Sequence, residues 1–284
     1  MRFVAIVGPL LLLGTAPVAA QVASCKQQEA GDVSAVNRFI ALVRDGEPKR
    51  LAAAINFPLR RRHPLPSISR DEFMDRHEEI FDDEFARIIA SSGDGDCGRT
   101  GWRGLQLHDG LVWFSEDGRV RSINHESEFE ERERHRLVDL ERLELHDSLR
   151  EYDSPVLEWE TCNYRIRVDR LDGGYRYAAW NVGRFHDSEP DLVIHDGTHH
   201  MEGTSGDHGY YFSNGQYKYI LFVDATSTVS AGDLEVYRTP LRGYHDVRYQ
   251  SADHETLLTE QIVNTGMESR YQALLNRLRT CSST

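Results

Sequence analysis

Between residues 155 and 250 the chain is repeatedly cut by glycine-bearing turn signals, and this punctuation constrains the fold more than any other feature. Asp172-Gly173-Gly174, Asp196-Gly197, Asn214-Gly215 and Ala231-Gly232-Asp233 each separate short runs rich in apolar and aromatic residues. An Asp-Gly or Asn-Gly pair accepts the positive φ that a tight hairpin turn needs, so such pairs between apolar runs mark antiparallel neighbours. The candidate strands are 156–159, 163–168, 175–180, 192–194, 209–212, 217–223, 234–237 and 246–249. Short strands in series build an antiparallel sandwich or barrel, and the pattern leaves both open. Residues 253–281 carry Leu257, Leu258, Ile262, Val263, Met267, Tyr271, Leu274, Leu275 and Leu278 and read as a closing helix.

The first half is patterned differently. Val36, Phe39, Ile40 and Val43 recur at helical spacing, Asp45-Gly46 ends that helix, and Pro48 opens a second over 49–56. Pro58, Pro64 and Pro66 hold the next passage extended. Ser69 and Glu72 form a capping box, and Phe73, His77, Ile80, Phe81, Phe85, Ile88 and Ile89 continue as one apolar stripe. Strands at 102–107, 111–115 and 119–124 follow, joined at His108-Asp109-Gly110 and Asp117-Gly118. The expected class is α+β, with helices packed on a curved antiparallel sheet over 30–126. A charged helical linker covers 127–151, with a thin seam of Leu137, Leu140, Leu143 and Leu145. A β-rich domain with its terminal helix covers 152–284.

The stretches Asn56-Phe57-Pro58-Leu59, Ile80-Phe81-Asp82-Asp83 and Gly101-Trp102-Arg103-Gly104 resemble the nuclear-transport-factor-like superfamily, especially its uncharacterised exported bacterial members. The resemblance covers about 34–125 and implies a cone-shaped α+β fold. That superfamily contains enzymes as well as binding modules, so the likeness implies a fold and no activity. Its enzymes line the cone with an Asp–His or Tyr–Asp set, which is not matched here residue by residue.

The compartment is read from the N-terminus and the cysteines. Arg2, the apolar run 3–13 and the small residues Val18-Ala19-Ala20 describe a secretory signal cut after Ala20, which places the mature chain in the periplasm or outside the cell. No later run is apolar for long enough to span a bilayer. Cys25, Cys97, Cys162 and Cys281 are even in number and fit two disulfides, with Cys25–Cys97 and Cys162–Cys281 the favoured of three pairings. Val22-Ala23-Ser24-Cys25 also resembles a lipidation signal, but lipidating Cys25 would strand one cysteine.

The whole chain carries 33 Lys and Arg against 46 Asp and Glu, a net charge of −13. Phosphate backbones are bound by Lys and Arg, so nucleic acid is excluded as a partner. The partner such a field steers inward is a basic protein or a cation.

No segment declares a chemistry. His195, His199, His200, Glu202, Asp207 and His208 are dense enough to suggest a metal, yet a regular strand would put His195 and His199 on one face and His200 and Glu202 on the other. Two ligands per face fall short of a site, so the cluster reads first as a polar hairpin, and no cofactor is expected. Gly203 to Gly209 lacks the lysine of a phosphate loop, and Asp94-Gly95-Asp96 lacks the further acids of a calcium loop. Arg60-Arg61-Arg62-His63 is a basic island that would grip a carboxylate ligand or pair with Glu78, Asp82 and Asp83. No G-x-S-x-G elbow is present. The leading expectation is an exported, non-enzymatic binding protein whose partner is a basic protein such as an envelope-degrading enzyme. A small-molecule hydrolase or isomerase working in the first domain, and a metal-handling protein using the histidine hairpin, are the alternatives. The oligomeric state is left open.

Overall fold

The computed structural model describes residues 23–24, 30–93, 95–100, 104–202, 207–224, 231–238, 255–262, 277 and 280–281. It is α+β, built on two antiparallel sheets in which every strand lies beside its neighbour in sequence. No described helix is long and apolar enough to cross a membrane.

The first unit carries β1 (Ala23–Ser24), α1 (Ala30–Asp45), α2 (Pro48–Ala53), α3 (Phe73–Arg76) and α4 (Asp83–Ala90). Strands β2 (Cys97–Arg99), β3 (Leu105–Leu107), β4 (Val112–Phe114) and β5 (Val120–Ile123) then complete a five-stranded sheet. Its interior is filled with phenyl rings. Phe39 meets Phe114 edge-on at 5.8 Å, and Phe81 meets Phe73 at 6.0 Å and Phe85 at 5.2 Å. Such edge-to-face pairs add to the burial that already drives the core.

The long helix expected from Ser69 to Ile89 is broken. Ser69 and Glu72 do exchange capping hydrogen bonds, Ser69 N–H to Glu72 Oε2 at 2.9 Å and Glu72 N–H to Ser69 Oγ at 3.3 Å. A single tight turn, His77–Glu79, follows α3. Asp82 then sits extended and accepts the Phe85 N–H at 2.8 Å, which caps a new helix. The apolar stripe is continuous in sequence because both pieces bury the same core.

Helix α5 (Glu128–Glu144) begins with a capping box between Ser127 and Glu130. It is less solvated than its composition suggests. Glu130, Val138 and the following Leu145 are buried, while Leu140 and Leu143 of the expected seam face outward. The buried side is set by the pairs that α5 makes with the neighbouring units, described below.

The second unit is one sheet of β6 (Ser154–Glu160), β7 (Tyr164–Leu171), β8 (Gly174–Asn181), β9 (Leu192–Met201), β10 (His208–Asn214), β11 (Tyr217–Val223), β12 (Gly232–Arg238) and β13 (Glu255–Gln261). It curls into a half-barrel, so the choice between sandwich and barrel resolves to a single curved sheet. The curl brings the β6–β7 turn back to the far edge, where Asn163 Nδ2 donates to Glu260 Oε1 at 2.5 Å. Cys162 and Cys281 form the expected disulfide there. Cys97 is disulfide-bonded as well, and Cys25 lies outside the described residues.

Two expectations fail in this unit. Residues 255–261 form a strand, where the leucine spacing reads as a helix. They pair with β12, with Leu258 opposite Val236, and this ladder gives the outer backbone groups of β12 their partners, which outweighs the local helical pattern. The candidate strand 246–249 and most of 263–278 lie outside the described residues. Asp196-Gly197 is not a turn either. Tyr177 pairs with Ile194 but Tyr175 pairs with Gly197, so one extra residue is accommodated inside β9 as a bulge with Asp196 at φ 59°.

Gly197 is required because the Phe212 ring lies over it. A Cβ there would come within 2.2 Å of Phe212 Cε1, and Phe212 is 1% exposed. Gly197→Ala is therefore expected to cost about 1–3 kcal/mol by overpacking, whereas Gly93→Ala, which meets nothing within 4 Å, should change stability by less than about 0.5 kcal/mol. Thermal denaturation of the two variants checks the contrast.

Candidate functional site

The two units and α5 meet around the basic island. Prolines hold residues 58–66 off the helical path, and the island projects from this loop toward α5. Each basic residue finds a partner. Arg61, buried, donates to both Glu130 carboxylate oxygens and to the carbonyls of Ile123 and His125. Arg62 lies 3.3 Å from Glu126, and Arg60 donates to the Asp224 carbonyl at 3.0 Å. His63 Nε2 stands 3.1 Å from Glu141 Oε1. Intramolecular pairing thus occurs as expected, but with acids on and beside α5, not with Glu78, Asp82 or Asp83.

Behind Glu141 lies a buried charge lattice on the convex face of the half-barrel. In β7 apolar and charged residues alternate, so Ile166 and Val168 point into the concave core and Arg167 and Asp169 point outward. That outward face is covered by α5 and by the single turn Asp147–Leu149. The Arg167 side chain is 0% exposed. It donates to Asp169 Oδ1 at 2.8 Å and to Glu141 Oε2 at 3.1 Å, stands 3.6 Å from Glu158 Oε2, and lies over the Tyr152 ring. Arg176 donates to Asp169 Oδ2 and to the Leu149 carbonyl, each at 2.7 Å, and to the Glu151 carbonyl at 3.0 Å. Glu158 reaches His186 Nε2 at 3.2 Å.

Burial and charge balance set the protonation of this lattice. Burial pushes Glu158 up to about 7, opposed by Arg167 and reinforced by Glu141. Burial, aided by Arg165 and Arg167, takes His186 down to about 4. Glu141 is held below the usual carboxylate range: desolvation opposes this, but His63 and Arg167 outweigh it. Near pH 7 His186 is therefore neutral, and Glu158 shares its site between the protonated and ionised forms.

On the concave side a cleft of about 130 Å³ opens where the island meets the half-barrel. It is lined by Arg61, His63, Val156, Leu157, Trp159, His208, Tyr210 and Val223. Val156 reaches it because the β6–β7 register slips between Pro155 and Leu157.

The histidine cluster is dispersed by the β9 bulge. His199 packs against His208, ring centres 5.1 Å apart, and both lean on Tyr210. His200 lies on the other face against Tyr211, and His195 is exposed beside the bulge. Asp207 acts electrostatically on Arg121 of β5. Among the described residues no three metal-ligating side chains converge.

Two contacts in the first unit were not legible from spacing. Ser92 Oγ lies 2.7 Å from His108 Nε2, with Asp96 Oδ1 4.0 Å from His108 Nδ1. Ser92 follows the end of α4 and also donates to the Ile88 carbonyl at 3.1 Å. A helix C-terminus presents carbonyls, which repel a developing oxyanion, so this arrangement caps a helix and does not activate a nucleophile. Asp82 and His125 lie 3.0 Å apart, but Asp82 is the α4 cap and His125 is stacked on Phe85 at 4.9 Å.

The Glu158–His186 pair generates a pH prediction. The unfolded chain releases the Glu158 proton near 4.5 and the folded one near 7, so alone this group makes the fold more stable as pH falls from 7 to 4.5. The unfolded chain protonates His186 near 6.5 and the folded one near 4, so alone it makes the fold less stable as pH falls over 6.5 to 4. Between 4.5 and 6.5 each state of the wild-type pair holds one proton and the two slopes cancel. Denaturant titrations from pH 7 to 4.5 should show Glu158→Gln losing stability, and His186→Asn gaining it, each on the order of 3 kcal/mol relative to wild type. Compared with known proteins, the chain matches no family model, no curated protein and no solved structure.

Proposed function

We propose that this chain is an exported, non-enzymatic binding protein that recognises a basic protein partner through a ridge formed by the end of α5 and the β8–β9 loop. The observation that carries the reading is the presentation of Phe185. Its side chain is 75% exposed, yet its loop is pinned. Trp180 Nε1 donates to the Ser188 carbonyl at 2.9 Å, Ser188 N–H to the Phe185 carbonyl at 3.1 Å, and His146 N–H to the His186 carbonyl at 2.8 Å. The last contact ties the end of α5 to this loop, so Leu143, 73% exposed, flanks the same junction, with Leu140 one turn back.

An aromatic side chain held in water on a fixed loop forgoes about 2 kcal/mol of burial. Pre-organised aromatic anchors of this kind are what binding hot spots use. The rim is acidic. Glu144, Asp187 and Glu189 are exposed and engage no cation among the described residues, while Asp139 and Asp147 pair only with surface arginines. With a net charge of −13 behind it, the ridge would steer a cationic surface inward and suppress anionic ones. The signal read at residues 1–20 and the Cys162–Cys281 disulfide fit an oxidising compartment outside the cytoplasm. The nuclear-transport-factor-like resemblance of the first unit fits a scaffold role, since its interior is occupied by Phe39, Phe73, Phe81, Phe85 and Phe114.

The test uses the mature chain from Gln21 as bait in envelope extract at low and high salt. A basic protein should be retained, released by salt, and bound at least tenfold more weakly by the Phe185→Ser/Leu143→Ser double variant, whose melting temperature should match wild type. Retention that ignores both salt and the double substitution would contradict the reading.

A further inference from the structure

We infer that the cleft between the two units is a separate binding site for an uncharged, single-ring aromatic molecule. Its size is the first argument. A closed cavity of about 150 Å³ holds one benzene ring, and this cleft, slightly smaller at about 130 Å³ and open to solvent on one side, admits a single ring at most.

Its electrostatics give the second argument. The cationic wall residue, Arg61, spends its guanidinium on Glu130 and on two backbone carbonyls. A carboxylate entering the cleft finds the Arg61 guanidinium already engaged, and burying an unpaired charge is costly. His63, 8% exposed, holds Nε2 3.1 Å from Glu141 Oε1.

Shape is the third. Trp159 and Tyr210 are almost fully buried and already fixed, so the walls need no reordering when a ring enters. Trp159 is fixed by the closure of the curl itself. At Gly232, φ 154°, a Cβ would strike the Phe222 carbonyl oxygen at 1.8 Å, and the Trp159 indole edge lies 3.2 Å from the same point, so the glycine lets β6 approach β12. Leu157 and Val223 supply the aliphatic surface against which an aromatic face or edge packs. The site lies on the concave face of the half-barrel and owes nothing to the Phe185 ridge.

The experiment titrates the mature chain with p-cresol, following indole fluorescence and amide shifts. The expected result is a saturable response with Kd of about 1 mM or tighter. Benzoate, the same size but charged, should bind at least tenfold more weakly. Val223→Phe fills the cleft from β11 and Val156→Phe fills it from β6; either variant, with its melting temperature retained, should weaken p-cresol at least tenfold. A Phe185→Ser/Leu143→Ser chain should bind p-cresol as wild type does, which separates this site from the partner ridge. The tripeptide Gly-Tyr-Gly tests the source of the ring, and tighter binding of it than of p-cresol would overturn a free small molecule as the ligand. Absence of a saturable response to p-cresol, equal affinity for benzoate, or undiminished binding in both filled variants would overturn the site.

Discussion

Arg167 is the interaction on which the rest of the structure depends. A guanidinium removed entirely from water must be matched by charge and hydrogen bonds, because the desolvation penalty for an unpaired ion is several kcal/mol. Asp169 and Glu141 supply that match from two different elements, one within β7 and one on α5. The requirement therefore fixes where α5 lies. Once the helix is docked across the convex face, Val138 and Leu145 close over Trp180 and Ala178, and Glu130 is placed to take Arg61 from the first unit. A lattice of this kind contributes less to net stability than an apolar core of equal volume would. Its physical consequence is positional, because any other seating of α5 takes the Glu141 carboxylate away from Arg167.

The consequences reach both proposed sites. The cleft exists because Arg61 and His63 are pulled toward α5 and stop at the rim of the half-barrel. The ridge exists because α5 ends against the loop that carries Phe185, with His146 tying the two together. One helix with buried acids on one side and exposed leucines on the other thus organises an inward-facing pocket and an outward-facing surface. The first unit, with its interior filled by phenyl rings, supplies the loop that completes the junction.

The hairpins were legible because their signals are local. Asp172-Gly173, with both residues at positive φ, turns β7 into β8, and Gly215 turns β10 into β11. Where a local signal competed with a tertiary demand, the tertiary demand won. Asp196-Gly197 carries a turn sequence, but Phe212 and the β8 register hold it inside a strand as a bulge. Leucines at 257, 258 and 262 fit a helix until the open edge of β12 is considered. The site was less legible still. The alternation of Arg165, Arg167 and Asp169 with Ile166 and Val168 announces a two-faced strand, but a charged face ordinarily meets water, and nothing local says that α5 covers it. Arg61 was visible as part of a basic island, whereas its partner lies 69 residues away on α5. Phe185, alone in a polar loop, has no periodicity to mark it.

Through α5 this lattice joins the two sheets into one cooperative unit. Hydrogen exchange across a urea titration of the protein tests this coupling, comparing amides of β4 and β5 with those of β7 and β8. In wild type both sets should lose protection in a single transition at one midpoint, and Glu141→Gln, which weakens the tie to both His63 and Arg167, should separate them into two. Two transitions in the wild-type protein, or one undivided transition in Glu141→Gln, would contradict the account.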